Sequence, residues 1–298
     1  MISKMQSENQ TKGSFIFNKI WIIESLGVVD KPTGTILYND LIKNKSSQLQ
    51  TLDSELAIVK DYDELVSVLD RIKSDVQDKH HFPFIHFEIH GSNDKMGLVL
   101  ASSQFVSWTE FASLLREINI ETRNNTMVTT AVCFGGRAFI EIDPVLPAPF
   151  AGIVGPYEAV YVNDIEEGYN AFFDLLLNGN GFDKALTALN GYGESESKFE
   201  FIPAIGLFNI LWSDLLTMYK DPLFMENKIF ALTYRSFASW NARGEEITMT
   251  IEQVKAYYRN LYTNDNELDE MKSAMMKTFI MADLDPLPFV NLDRPDDW

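Results

Sequence analysis

One cysteine stands in a chain of 298 residues. Cys133 has no internal partner for a disulfide, and no Cys pair remains for a zinc ribbon, a thioredoxin motif or an iron–sulfur cluster. A reducing cytoplasm is the expected compartment. Basic residues are scarce as well: 25 Lys and Arg against 43 Asp and Glu leave a formal charge of −18. Such a field repels phosphate backbones and anionic bilayers, so neither direct nucleic-acid binding nor a membrane partner is expected. Long hydrophobic runs are missing too; Phe201 to Trp212 falls short of the roughly 20 residues a bilayer span needs. The first dozen residues are polar and lack the apolar core of a secretory signal, so residues 1–13 read as a disordered tail. No Gly-rich loop precedes Lys-Ser or Lys-Thr, and no cofactor is expected.

What is present is an ordinary globular composition, 46% hydrophobic and 23% charged, long enough for one large domain or a domain with an extension. Short β-branched and aromatic runs predict strands at Phe15–Leu26, Ser54–Lys60, Phe84–His90, Thr126–Val132 and Phe150–Val154. Between them, apolar residues at helical spacing predict helices at Asp61–Asp75, Trp108–Ile118 (capped by Ser107 or Thr109), Asp164–Leu177 and Asp183–Asn190, with a short one at Ile36–Ile42. Strands too apolar for a one-sided sheet, alternating with helices, predict a mostly parallel sheet between two helix layers. A polar stretch, Gly191–Lys198, separates this domain (residues 14–190) from a mainly helical extension (191–298). Capping patterns there start at Thr250 and Asn264. Met and aromatic stripes in the extension are read as core.

In an open α/β sheet, ligands sit beyond the carboxyl ends of the strands. Two predicted strands end there in reactive residues, one at His90-Gly91 and one at Cys133 before Gly135-Gly136. Neighbouring parallel strands lie about 5 Å apart, which would bring imidazole and sulfur to one edge. A following helix N-terminus would favour the thiolate. The chemistry such a pair suits is acyl transfer, with a thiolate attacking a carbonyl and an imidazolium protonating the leaving group. Gly91 allows a backbone N–H to approach the oxyanion without a side chain in the way. A metal site is not expected: His86 and His90 are four residues apart on a strand, roughly 13 Å, too far to share one ion. His86 with Glu88 lacks the downstream Cys pair of a zinc deaminase. Glu166-Glu167 reads as a solvated first turn.

At these residues the sequence resembles a known family. A strand ending in His-Gly (FIHFEIHGS), followed by one ending in a small residue-x-Cys-x-Gly (AVCFGG), is similar to the caspase-like cysteine peptidases, most closely to their CHAT branch. An earlier His four before the His-Gly is met by His86. Val106–Leu115 resembles that branch's loop and helix before the Cys strand. Phe150–Pro156 (FAGIVGP), Asp164–Leu177 and Phe182–Asn190 resemble its segments after the Cys, so the likeness covers about residues 84–190. The resemblance implies a caspase-like three-layer α/β/α fold and a cysteine endopeptidase with a protein substrate. His90 would be general base and acid, Cys133 the nucleophile, and the N–H groups of Gly91 and Cys133 the oxyanion donors. It further implies latency until a protein partner activates or releases the enzyme.

The sequence departs from the pattern in places. Branches that cleave after Arg or Lys can carry an acid two before the Cys, where this chain has Ala131. Glu158 is a candidate replacement for that charge. Glu88 shares the face of His90 by period two and is expected to tune it or to reach solvent. No TPR pattern follows residue 191. Two alternatives stay open: a catalytically inactive caspase-like scaffold that binds a partner, and a hydrolase or acyltransferase acting on a non-peptide carbonyl.

Overall fold

The computed structural model describes residues 15–49, 51–137, 142–192 and 199–284. Within them an α/β fold is built on a mostly parallel sheet flanked by helices. The strands are β1 (Lys19–Ser25), β2 (Asp53–Ile58), β3 (Pro83–Gly91), β4 (Gly97–Val99), β5 (Phe105–Ser107), β6 (Met127–Thr130), β7 (Gly152–Pro156) and β8 (Phe199–Pro203). The order across the sheet is β2-β1-β3-β6-β7-β8. The first five run parallel, and β8 closes the row antiparallel to β7. β4 and β5 form an antiparallel hairpin at the carboxyl end of β3.

The helices of this part are α1 (Thr33–Leu37), which runs through a π turn (Tyr38–Ile42) into α2 (Lys43–Gln48), then α3 (Tyr62–Lys79), α4 (Trp108–Glu121), α5 (Val162–Leu177) and α6 (Phe182–Leu189). Burial on both sheet faces explains the apolar strands. On one face Ile20, Ile22 and Phe84 join Tyr169, Phe172 and Phe173 of α5 in a single core. On the other, Phe87 meets Phe111 of α4 edge-on at 4.9 Å, and Arg71 of α3 lies 4.9 Å from the Trp21 ring. Asp61 caps α3, and Ser107 rather than Thr109 caps α4 in a reciprocal capping box with Glu110.

Several elements differ in extent from the sequence expectation. The β6 ladder stops at Thr130 because the chain turns at Val132, whose carbonyl accepts from Gly135 N–H at 2.8 Å. Gly91 belongs to a strand, not to a loop, because the hairpin β4–β5 extends the ladder past it. Strands of three residues are too short to show period two in a sequence.

The chain divides into two compact units. Of the described residues, the first takes those up to Ile142, those within Pro147–Ala204 and Leu284, so it runs past residue 190 to include β8. The second takes Asp143–Leu146 and Ile205–Asp283. Its helices are α7 (Ala204–Tyr219, from its second residue on), α8 (Pro222–Arg243), α9 (Ile251–Thr263) and α10 (Asp265–Phe279). Thr250 and Gln253 form the capping box of α9, whereas Asn264 caps α10 alone. Phe208 packs on Phe279 at 5.6 Å. The expected N-terminal tail and most of the linker, residues 193–198, lie outside the described residues, and so does the chain after 284. Among the described residues no helix is long and apolar enough to cross a membrane.

Candidate functional site

β3 and β6 are neighbours in the sheet, with Phe87 opposite Thr130. Ala131 N–H extends the pairing to Phe87 O at 2.8 Å. Two residues further on, the chain lies against the end of β3. A Cβ placed on Gly91 would stand 2.0 Å from the Cys133 carbonyl oxygen and 3.3 Å from the Cys133 Cβ. Only a residue without a side chain permits this approach. Cys133 sits inside the turn Val132–Gly135, in which Phe134 adopts φ +65°, a conformation uncommon for a bulky side chain and often found near functional sites. Gly135 is also required by contact, since a Cβ there would fall 2.2 Å from Thr130 Oγ1. The segment after the cysteine is a three-residue 3₁₀ turn, Gly135–Arg137, where a helix N-terminus was expected.

Cys133 is partly buried, and its thiol donates to the carbonyl of Val160 over 4.0 Å. His90, whose side chain is 54% exposed, places Nε2 at 2.9 Å from Asp30 Oδ2. Asp30 closes the turn after β1: its N–H donates to Gly27 O at 3.0 Å, and its Oδ2 accepts from Gly27 N–H at 2.7 Å. The hydrogen bond from His90, then that from Gly27, holds the Asp30 carboxyl below the usual carboxylate range. Among the described residues no hydrogen bond joins the His90 ring to the Cys133 thiol. The fold brings the two strand ends together while each functional group engages another partner.

Beneath this edge lies a second, buried set. His86 Nδ1 is 2.8 Å from Thr129 Oγ1, its register partner on β6, and Nε2 is 3.1 Å from Glu88 Oε1. Thr33 Oγ1 donates to Glu88 Oε2 at 2.8 Å. Tyr169 packs edge-on against the His86 ring at 4.4 Å and donates its hydroxyl to Thr130 O. Burial pushes the Tyr169 hydroxyl pKa well above the ordinary value. Glu24, opposite Glu88 on β1, accepts from the N–H and the hydroxyl of Thr35, each at 2.8 Å. Two buried carboxylates thereby pin the start of α1.

The residues expected to shape a substrate pocket do not come together as one. Glu88 neither reaches solvent nor touches His90: α1 covers the strand here, and the carboxylate turns to His86 and Thr33. Ala131 is buried in the core shared with α5. Glu158 is exposed, but its carboxylate is engaged by Lys95 at 3.3 Å and Arg137 at 3.2 Å. Lys95, then Arg137, holds the Glu158 carboxyl below the usual range. The same two cations flank the Phe134 ring, at 4.5 and 6.0 Å from its centre. A free acid to receive a basic substrate side chain is thus not offered by these three positions.

His86 and His90 likewise serve different partners, and among the described residues no three His, Cys, Asp or Glu side chains cluster as metal ligands would. Sequence reasoning missed Asp30, Thr33 and Thr129. Asp30 had a usable signal, since GVVD lies just past the carboxyl end of a core strand, where ligands and catalytic groups gather. No protein-family model and no curated protein matches the chain.

Proposed function

We propose that the chain is a cysteine endopeptidase of caspase-like type, with Cys133 as nucleophile and His90 as general base and acid. The observation that carries this reading is the apposition of Gly91 and Cys133 at the carboxyl edge of adjacent parallel strands. In the first step the His90 ring takes the thiol proton, and sulfur attacks the substrate carbonyl. The oxyanion then meets the N–H groups of Gly91 and Cys133. Strand alternation supports the Gly91 donor: Ser92 N–H is committed to Gly97 O across the hairpin at 2.9 Å, so the preceding N–H turns the opposite way, toward β6. Collapse of the tetrahedral species expels the amine, which receives the proton from the imidazolium; water then attacks the thioester with His90 as base.

The thiol's bond to Val160 O and the ring's bond to Asp30 fit a resting form in which nucleophile and base have not yet met. Movement of the Cys133 turn joins them in a form the free chain already samples, and we assign to an activating protein partner, in a cytoplasmic setting, the role of holding that joined form. The same observation favours a second reading, an inactive scaffold of this fold that binds a partner without cleaving it. The test compares new protein N-termini in cells carrying the native chain or Cys133→Ala. Cleavages found only with the native chain support the peptidase; their absence, with partner binding intact in both, supports the scaffold.

A further inference from the structure

We propose that Asp30 is the positioning residue of the site, fixing His90 through Nε2 and completing a Cys133–His90–Asp30 triad. The inference rests on the peptidase reading and adds a residue that neither the motif nor its spacing marks. The His90 side chain is half exposed, and the one hydrogen bond of its ring among the described residues is the 2.9 Å contact with Asp30 Oδ2. With Nε2 donating to a carboxylate, Nδ1 is left as the basic nitrogen.

Asp30 is itself held in place. The Oδ2 that faces His90 also accepts from Gly27 N–H, which fixes the side chain within its own turn. On the far side of that turn, Lys31 pairs with Glu166 of α5, Thr33 is bound to buried Glu88, and Thr35 is bound twice to buried Glu24. The loop carrying Asp30 is therefore clamped to β1, β3 and α5, a rigid support of the kind orienting residues need. The proton balance is complete within the triad. Nδ1 accepts the thiol proton as sulfur bonds to carbon, the imidazolium so formed faces the Asp30 carboxylate, and Nδ1–H later passes its proton to the leaving amine. Asp30 stays ionised throughout and stabilises the cation. The depressed carboxyl pKa is consistent with that state at neutral pH.

The test uses the single thiol of the intact chain, alkylated by iodoacetamide at neutral pH, with folding of each variant checked by circular dichroism. His90→Ala should slow alkylation by about tenfold, the range that thiolate fraction allows at neutral pH. Asp30→Asn keeps an oxygen for Gly27 N–H but removes the charge, and should slow it by about threefold or more, within the His90→Ala loss. Asp30→Glu should recover part of the loss. In the double variant, Asp30→Asn should add nothing to His90→Ala, because a residue acting through the ring has no effect once the ring is gone. Native rates in Asp30→Asn beside a slow His90→Ala overturn the proposal and leave the dyad standing. So does an undiminished Asp30→Asn effect in the His90→Ala background, which would mean that Asp30 acts through the turn alone. A native rate in His90→Ala overturns the peptidase reading itself.

Discussion

Gly91 and Cys133 touch through backbone atoms, so no rotamer change can make room for a side chain between them. In Gly91→Ala one strand end must move away from the other. The expected result is a fold destabilised by about 1–3 kcal/mol and an alkylation rate at Cys133 that departs from native, both measurable on the purified chain by urea denaturation and iodoacetamide kinetics. His86 is a different case, because its role is to satisfy buried groups. In His86→Leu the Glu88 carboxylate, 3% exposed, keeps Thr33 as its hydrogen-bond donor. A buried charge stripped of one partner typically costs about 3–5 kcal/mol, so the urea midpoint should fall sharply while Cys133 itself is untouched. His90, Gly91 and Cys133 were legible in the sequence because they close apolar strands at glycines. For Asp30 only its place past a strand end was readable; its pairing with His90 was not, since 60 residues separate the two and only the β1–β3 pairing brings them near. Glu88 was misjudged because period two gives the face of a side chain without saying where the covering helix ends.

At the scale of single elements, the turn Gly27–Asp30 and the capping of α4 each make a separable prediction. The folded pKa of Asp30 is lowered from 3.8, chiefly by the His90 hydrogen bond and then by Gly27 N–H. A carboxyl whose pKa falls on folding stabilises the fold fully above its unfolded value, and the contribution is lost as pH drops through the lower folded value. The stability difference between the native chain and Asp30→Asn should therefore hold steady from neutral pH down to about 4 and shrink only below it, as read from urea curves across pH. The α4 capping box satisfies Glu110 N–H through Ser107 Oγ and Ser107 N–H through the Glu110 carboxylate. Ser107→Ala should cost about 1 kcal/mol, a fall of roughly 2–4 °C in Tm. The box at Thr250 was readable from spacing alone, because a cap is a local contact over three residues, whereas at α4 the sequence left Ser107 and Thr109 both open. The β4–β5 hairpin was not, as its strands are held by pairing with β3 and not by any pattern of their own.

For the whole molecule, the order of strands and helices was legible because burial on both faces leaves strands apolar throughout, while helices keep one polar side. The end of the sheet was hidden. FEFIP follows a polar stretch and merges with the apolar start of α7, so a strand and a helix read as one extension; the break falls at Pro203, with the helix beginning at Ala204. β8 shields what would otherwise be an open edge of β7, and it buries Phe199 and Ile202 at 5% and 6% exposure. Asn190 fastens it further, exchanging two 2.8 Å hydrogen bonds with the Phe199 backbone. A chain ended at residue 190 loses both apolar side chains, worth about 1.5–3 kcal/mol each, and leaves a parallel sheet with an unpaired edge that invites aggregation. A chain ended at 204 retains them. The shorter chain should therefore elute as aggregate in size-exclusion chromatography, whereas the longer one should elute as a defined species and unfold in one cooperative transition. Equal behaviour of the two would show that β8 contributes nothing to the first unit and would return the boundary to the polar stretch before it.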